Sequence, residues 1–317
     1  MPKRVILDMD PGIDDALAIL LAVKSPELKV EAITTVSGNV HVDKASLNVL
    51  KILELAKVRN VPVAKGMQRP LIRELETAEH IHGEDGLGNT KLPTPKLLLH
   101  PKHAVDLLIE KISSAPKEIT LVTTGPLTNV AMAILKEPKI VHQIKEVILM
   151  GGAFALTPYG YGNVTPVAEF NIWCDPEAAK IVFHSGLPIV AVGLDVTADP
   201  SACLREDHLK KLSSAKTAIS KFIVQASRFY LMRTQRDLME LHDPIAVAVA
   251  IDKSLVTTRR FFVDVETKGE ITRGQTIVDR RPQSTIKGNI EVCYGIDGSR
   301  FLSLFMERLQ TSEKKPI

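Results

Sequence analysis

Four aspartates lie close together near the N-terminus of the chain. Asp8, Asp10, Asp14 and Asp15 occupy one segment, which follows an apolar run and contains a Pro-Gly pair. Carboxylates this close raise one another's pKa unless a cation neutralises them. Their oxygens suit Ca²⁺ or Mg²⁺, and the absence of Cys and His from the segment argues against zinc. The segment therefore predicts a metal site or a catalytic site.

Helix capping is the alternative explanation for two of these acids. A helix-forming run follows them directly, so Asp14 could cap the helix and Asp15 could lie favourably at its positive end. Capping does not account for Asp8 and Asp10, which come at the end of a hydrophobic strand. Acids beyond the carboxyl end of an α/β strand are typical of functional sites, which favours a site.

Other predicted strands are also followed by polar residues, and a parallel sheet would bring all of these to its carboxyl edge. Each of them alone is an ordinary turn residue, but their convergence with the acids is a stronger signal. They are Asn39, Thr124, Asn163, Glu169 and Asn171.

Two histidine-containing motifs each have two possible interpretations. Asp243, which precedes Pro244, is either a helix N-cap or a further cation ligand, with His242 facing the same cavity. His82, which precedes Gly83, is either a substrate contact on a mobile loop or an ordinary loop histidine.

The elements that must position these residues follow from an alternation of short β-branched runs with helical patterns. This alternation predicts a parallel sheet covered by helices on both faces. The predicted strands are 3–8, 29–36, 62–65, 118–123, 146–150 and 188–194. The predicted helices are 14–24, 42–58, 101–114, 127–136 and 175–185.

The last quarter of the chain has a different pattern. It predicts a long helical stretch over 205–239, a helix at 245–251, a strand-rich segment at 255–296 and a final helix at 298–311. No linker or repeat divides the chain. We therefore expect one α/β domain spanning 1–317, a mostly parallel, doubly wound sheet flanked by helices, with a C-terminal β-rich extension. Two stretches, 67–98 and 151–174, are long for loops, which points to function or mobility.

The composition limits the partners and the compartment. The chain has 317 residues, 45% hydrophobic and 24% charged, as in an ordinary soluble globular protein. The net charge is +3 and the basic residues are scattered, so nucleic acid is not an expected partner. Three widely spaced cysteines suggest a reducing compartment. The chain enters a strand at once and its longest apolar run, 16–23, is short for a membrane span. We expect a soluble cytoplasmic protein without membrane contact.

The acidic segment 8–15 resembles the signature of the nucleoside N-ribohydrolases, the inosine-uridine preferring nucleoside hydrolase family. The resemblance covers nearly the whole chain, and further motifs occur in the family's order. These are Asn39, His82-Gly83, the segment 124–129, Glu169-Phe170-Asn171, Asp175-Pro176 and His242-Asp243-Pro244. The resemblance implies a single-domain α/β enzyme that hydrolyses the N-glycosidic bond of ribonucleosides in purine and pyrimidine salvage, as a homodimer or homotetramer.

The resemblance also implies a role for each matching residue. Asp10, Asp15 and Asp243 would supply carboxylate ligands to one Ca²⁺, and Thr124 would supply its backbone carbonyl. The remaining matches are substrate contacts: Asp14, Asn39 and Asn171 for the ribose hydroxyls, Asn163 and Glu169 for the 5′-hydroxyl side, and His82 and His242 toward the nucleobase.

A chemical mechanism follows from these roles. Breaking an N-glycosidic bond creates positive charge on the sugar and negative charge on the base. Asp10 is the candidate general base for a Ca²⁺-activated water. His242 is the candidate general acid for the leaving base, although a structural role beside Asp243 is equally open.

The base preference stays open between inosine, uridine and cytidine. The helical stretch before His242 is expected to form part of the base pocket. In it Tyr230 could stack on a base or hydrogen-bond to it, and Gln225 could read a pyrimidine edge.

Two other functions compete with nucleoside hydrolysis. A haloacid-dehalogenase-type phosphatase also carries Asp-x-Asp after its first strand, but Gly12 and the two further acids depart from that pattern. A calcium-dependent nucleoside-binding protein would keep the metal ligands and lose the base. Asp10 is present, which favours hydrolysis.

Overall fold

The computed structural model describes residues 1–310. The strands are β1 (Lys3–Met9), β2 (Leu28–Thr35), β3 (Val63–Lys65), β4 (Ile119–Thr123), β5 (Glu146–Met150), β6 (Ile189–Val192), β7 (Leu204–Arg205), β8 (Leu238–Met239), β9 (Val256–Phe261), β10 (Val263–Val265), β11 (Thr276–Val278) and β12 (Ile290–Ile296). The helices are α1 (Ile13–Lys24), α2 (Val42–Leu55), α3 (Glu79–His82), α4 (Ala104–Ser114), α5 (Thr128–Lys136), α6 (Phe170–Cys174), α7 (Pro176–Phe183), α8 (Leu194–Thr197), α9 (Glu206–Ser214), α10 (Ala218–Thr234), α11 (His242–Ile251) and α12 (Gly298–Gln310).

Eight of the strands in residues 1–310 form one sheet in the order β3-β2-β1-β4-β5-β6-β12-β9. All pairs are parallel except β12 with β9. The chain first builds β1, β2 and β3 toward one edge and then crosses to place β4 on the other side of β1. The strand order therefore reverses between β1 and β4, where open α/β sheets form a crevice for ligands.

The predicted fold class is confirmed, and all six predicted parallel strands are present with their ends shifted by at most two residues. The hydrophobic runs located them because central parallel strands are buried on both faces. Strand β1 shows this pattern, since every residue from Val5 to Met9 is buried.

Two predictions for the last quarter need correction. The helical stretch 205–239 is two helices, α9 and α10, because Lys216 has a left-handed φ of 54° and the Thr217 hydroxyl caps the next helix. The C-terminal strands are not all appended to the fold. Strand β12 pairs with β6 and carries β9, so both continue the main sheet, while β10 and β11 form a separate antiparallel pair. Residue 311, the predicted end of the final helix, lies outside the described residues.

Helix α1 holds the acidic segment in the core. Its residues from Ile13 to Ala22 are all buried, and it packs against α11, whose residues from Asp243 to Ile251 are also buried. Helices that are apolar all round belong between other layers. Their packing brings Asp243 beside the acids of the first loop. Within the described part of the chain, no helix has the length and apolar character that crossing a membrane requires.

Candidate active site

The carboxylates of Asp14, Asp15 and Asp243 form a cluster at the carboxyl edge of the sheet. One oxygen from each lies within 4.8 Å of the others. Burial, followed by the neighbouring Asp14 charge, raises the pKa of Asp15 to about 6 and raises that of Asp243 well above its ordinary value. Three buried carboxylates at this separation repel one another strongly when ionised. The cluster therefore suits a cation.

Asp15 is held from three directions. Its Oδ2 accepts hydrogen bonds from the Gly12 amide at 3.0 Å and from the Asn39 side chain at 3.1 Å. Its Oδ1 accepts one from the Thr124 hydroxyl at 2.8 Å. The bond to Gly12 is the capping interaction of helix α1. The N-cap is therefore Gly12, and the alternative in which Asp14 caps the helix is wrong.

Asp10 is completely buried beside the cluster. Its Oδ2 accepts the Asn39 amide at 2.6 Å, while its Oδ1 has no hydrogen-bond partner within residues 1–310. Burial, then the Asp15 charge, holds its pKa well above the usual range. Glycines at 38 and 125 permit this arrangement, because an added Cβ would lie 2.0 Å and 2.9 Å from the Asp10 carboxylate oxygens.

Asp8 lies under the site and has its own partners. Its Oδ1 accepts hydrogen bonds from the Thr34 hydroxyl at 2.6 Å and the Asn129 amide at 2.8 Å. Burial raises the pKa of Asp8 to about 6. Its contacts are those of a residue that holds β1, β2 and α5 together.

The donor set fits a hard divalent cation. Asp14 Oδ1, like Asp10 Oδ1, is buried and lacks a hydrogen-bond partner among the described residues. A buried carboxylate oxygen without a partner is costly unless a cation or ligand satisfies it. All of the ligand atoms are oxygens, as Ca²⁺ and Mg²⁺ prefer.

The Thr124 carbonyl connects the cluster to the loop after β5. It accepts a hydrogen bond from Asn171 Nδ2 at 2.8 Å. Asn171 lies on the short helix α6, which Glu169 caps by accepting the amides of Asn171 at 2.9 Å and Ile172 at 3.2 Å. Glu169 also accepts the Gly152 amide at 3.0 Å. Glu169 thus fixes the loop that presents Asn171.

His82 is a buried residue of α3 with a defined hydrogen-bond direction. Its Nδ1 accepts the Ile13 amide at 3.1 Å. Burial lowers the pKa of His82 to about 4, so the ring is neutral under physiological conditions. A neutral imidazole that accepts through Nδ1 carries its proton on Nε2. His82 therefore presents an N–H donor.

His242 begins helix α11, and the residue before it, Leu241, is the N-cap. The N-cap interpretation of Asp243 is therefore wrong, because Asp243 lies inside the first turn. His242 Nδ1 lies 2.8 Å from the Thr197 hydroxyl of α8. This contact orients the ring and leaves Nε2 for a ligand.

These residues surround one cavity of about 640 Å³. The predicted site residues that line it are Asp14, Asn39, His82, Thr124, Asn163, Glu169, Asn171, Tyr230, His242 and Asp243. Asp10 and Asp15 are completely buried behind this lining. Gln225 is exposed and lies outside the lining, so its predicted place in the base pocket is wrong.

Several residues of the site carry no signal in the sequence. Arg236 and Glu240 line the cavity beside Tyr230, and Thr197 and Asn129 orient His242 and Asp8. Asn129 ends the segment 124–129 of the family resemblance but carries no predicted role, and the other three belong to no pattern of chemistry-bearing residues. The only local cue is that Glu240 stands two residues before His242.

Comparison with known proteins assigns this chain to a family. Residues 5–303 match the inosine-uridine preferring nucleoside hydrolases. The chain is a member of that family. It hydrolyses the N-glycosidic bond of ribonucleosides, and the phosphatase alternative is wrong.

Relatives of this nucleoside hydrolase match it over almost its full length. It is 43% identical to an inosine-uridine preferring nucleoside hydrolase of Leishmania major, over 98% of both chains. It is 41% identical to a pyrimidine-specific ribonucleoside hydrolase of Salmonella arizonae, over 98% of this chain and 99% of the relative. A solved purine-preferring ribonucleoside hydrolase from Gardnerella vaginalis superposes with a TM-score of 0.90 at 36% identity, covering 97% of this chain and 98% of the other.

Proposed function

We propose that this nucleoside hydrolase binds one Ca²⁺ through the carboxylates of Asp10, Asp15 and Asp243 and the carbonyl of Thr124. The observation that carries this proposal is the buried Asp10 Oδ1, which lacks a partner among residues 1–310 and lies beside the acidic cluster. The geometric cluster contains Asp14, Asp15 and Asp243 and does not include Asp10, so the Asp14 oxygen would lie close to the same ion. When bound, the ion would lower the pKa of a water and fix ribose hydroxyls in place.

Asp10 is the proposed general base. The Asn39 amide holds its Oδ2, so Oδ1 is the oxygen that takes a proton from the attacking water. Without a cation, burial and the Asp15 charge raise the pKa of this carboxyl, and a bound Ca²⁺ would lower it and favour the ionised form that a base requires. General-base catalysis of this kind contributes roughly 10²–10⁴-fold in rate.

The ribose hydroxyls meet a row of acceptors. The side-chain nitrogens of Asn39 and Asn171 are committed to Asp15 and to the Thr124 carbonyl, which leaves the oxygens of both amides for hydroxyl donors. Asp14 Oδ1 is a third acceptor. These groups hold the anomeric carbon beside the water, and their negative potential stabilises the cationic sugar of the transition state.

The remaining contacts concern the 5′-hydroxyl and the base. Asn163 Oδ1 accepts the Phe170 amide at 3.0 Å, so its amide nitrogen is available to the 5′-hydroxyl beside Glu169. His242, oriented by Thr197, is the proposed acid for the leaving base, and His82 Nε2–H is a second donor toward it.

We further propose that the enzyme is one domain over 1–317 and a cytoplasmic homodimer or homotetramer that serves purine and pyrimidine salvage. The family resemblance supports this proposal. Light scattering on the purified chain measures the oligomeric state.

Release of ribose from a nucleoside panel, with and without a chelator, tests the proposed function. We expect hydrolysis that disappears on metal removal and returns with Ca²⁺. Full activity in protein shown to be metal-free would contradict the metal proposal, and the absence of ribose release from every nucleoside would contradict the activity.

A further inference from the structure

The β10–β11 hairpin packs against the long loop between β5 and α6, which carries several of the proposed ribose contacts. The Thr276 hydroxyl accepts the Ala153 amide at 3.1 Å and donates to the Ala153 carbonyl at 2.8 Å. Gln275 forms an antiparallel bridge with Ala168. The hairpin therefore contacts this loop near its beginning and again just before α6.

A cation–aromatic stack joins the hairpin to α6 itself. The Arg273 guanidinium carbon lies 3.8 Å from the centroid of the Trp173 ring, and a cation in this position is attracted by the ring quadrupole. The Trp173 amide donates to the Glu169 carbonyl at 2.8 Å. Trp173 lines the cavity, whereas Arg273 lies outside the lining. Arg273 can therefore act on the cavity only through a neighbour such as Trp173.

Gly274 allows the hairpin to approach α6 this closely. Its φ is 78°, and an added Cβ would lie 2.7 Å from the Trp173 Cα. The backbone conformation and the space therefore both require glycine. Because the atom in contact belongs to the backbone, no side-chain rotation could make room for a larger residue.

The ion pair of Arg273 is weaker than its stack. Arg273 Nη2 lies 3.6 Å from Glu76 Oε1, which is too long for a hydrogen bond. The Glu76 side chain is 61% exposed, and an exposed ion pair contributes little stability. The contact with Trp173 is therefore the one that we expect to matter.

Helix α6 depends on such outside contacts because it has only five residues, too few for a helix that is stable by itself. Its capping residue is Glu169, whose Oε2 accepts the amides of Gly152 and Ile172. Glu169 Oε1 accepts only the Asn171 amide within the described residues. A carboxylate oxygen can accept about two hydrogen bonds. Oε1 thus keeps capacity for the 5′-hydroxyl of a nucleoside.

We propose that Arg273 is a positioning residue that acts through Trp173 to hold the Glu169 carboxylate against the 5′-hydroxyl. The β10–β11 hairpin thereby sets how strongly the enzyme discriminates a ribonucleoside from its 5′-deoxy analogue. This inference deepens the proposed function and rests on its placement of the 5′-hydroxyl beside Glu169. The acidic cluster lies outside these contacts, so hydrolysis itself does not depend on Arg273.

Nucleosides that lack the 5′-oxygen test this role. Inosine and uridine are compared with 5′-deoxyinosine and 5′-deoxyuridine, and the ratio of kcat/KM within each pair is the 5′ discrimination. In the wild type, loss of a hydrogen bond to a carboxylate should lower kcat/KM at least about tenfold.

Arg273→Gln removes the cation and should reduce the 5′ discrimination about threefold. The kcat/KM of the 5′-deoxy analogues should stay close to that of the wild type, because they make no 5′ contact to lose. A merely structural role of Arg273 would lower kcat/KM for both members of a pair by the same factor and leave the ratio unchanged.

Two further variants test the route through Trp173. If Arg273 acts through the ring, the double variant Arg273→Gln/Trp173→Leu should have the same 5′ discrimination as Trp173→Leu alone. Additive losses would overturn the route. Gly274→Ala should also reduce the 5′ discrimination, because the added Cβ pushes the hairpin away from α6.

Arg259→Gln is the matched control. The Arg259 guanidinium carbon lies 5.2 Å from the centroid of the Phe261 ring on β9, and neither residue lines the cavity. The variant removes the same kind of contact at a distant place, so the 5′ discrimination should be unchanged. A loss equal to that in Arg273→Gln would overturn the inference.

The outcomes separate this inference from the proposed function. Absence of ribose release from every nucleoside by the wild type would overturn both. Wild-type hydrolysis with undiminished 5′ discrimination in Arg273→Gln and Gly274→Ala would overturn the role of the hairpin alone. Equal kcat/KM for inosine and 5′-deoxyinosine in the wild type would overturn the 5′ contact of Glu169 and this inference, while hydrolysis would stand.

Discussion

Two groups of buried aspartates in this protein have opposite surroundings. Asp195 is 1% exposed, and its carboxylate accepts the amides of Phe154 at 2.8 Å, Leu156 at 2.6 Å and Thr157 at 3.1 Å. Asp10 is 0% exposed and Asp14, in the cavity lining, is 9% exposed, and each keeps one oxygen without a partner among the described residues. Backbone donors satisfy the carboxylate oxygens of the first group. The second group faces other carboxylates and suits a cation.

The hydrogen-bond partners of each carboxylate separate the structural acids from the functional ones. Asp175 belongs with Asp195, because it accepts the Leu71 amide at 2.9 Å, the Ala178 amide at 3.0 Å and the Thr128 hydroxyl at 2.7 Å. Asp175 stands in a motif of the family resemblance, but its contacts are those of a residue that fixes a loop to α7. Burial alone does not distinguish the two groups, whereas the partners of each oxygen do.

The largest expected effect is the loss of turnover in Asp10→Asn. The amide cannot take a proton from water, so kcat should fall by roughly 10²–10⁴-fold at saturating Ca²⁺. The melting temperature should stay close to that of the wild type, because no hydrogen-bonded charge pair is broken. Wild-type-like turnover would remove Asp10 as the base.

Asp195→Ala should show the reverse pattern, with a loss of stability. Three backbone amides would lose their acceptor in the interior, which costs about 3 kcal/mol of the free energy of unfolding. Chemical denaturation measures this loss, and calcium titration of the folded variant should give wild-type affinity. An unchanged midpoint would place Asp195 outside the structural group.

Metal removal should destabilise the folded protein if the second group of aspartates, and not Asp195, holds the cation. A cation that binds the folded state stabilises it by about 2.7 kcal/mol when present at roughly 100 times its Kd. Chelation should therefore lower the melting temperature of the wild type and of Asp195→Ala by similar amounts. A decrease in melting temperature on chelation in Asp195→Ala alone would contradict the assignment of the cation to the second group.

His242→Ala should have the smallest and most selective effect. Removal of a general acid matters for a poor leaving base and little for an activated nitrophenyl leaving group. We expect kcat for inosine or uridine to fall at least about tenfold more than kcat for nitrophenyl riboside. Equal losses on both substrates would show that His242 only supports the neighbouring Asp243.

Much of the scaffold could be predicted from the sequence because hydrophobic periodicity is local. The strands β1 to β6 were located within two residues, and the acidic loop was correctly placed at the end of β1. The errors occur where a few atoms decide the local structure, as at Lys216 and Thr217, which divide one predicted helix into α9 and α10.

The α/β alternation, the family resemblance and the set of polar residues at the strand ends can all be read from the sequence. Which carboxylate oxygens have hydrogen-bond partners depends on the packed fold, because those partners come from distant segments. Packing of α11 on α1 brings Asp243 to Asp15, and the chain reversal after α10 brings Glu240 to Tyr230. Hydrophobic burial drives the packing of these helices, and the resulting positions of donors and acids assign each carboxylate its role.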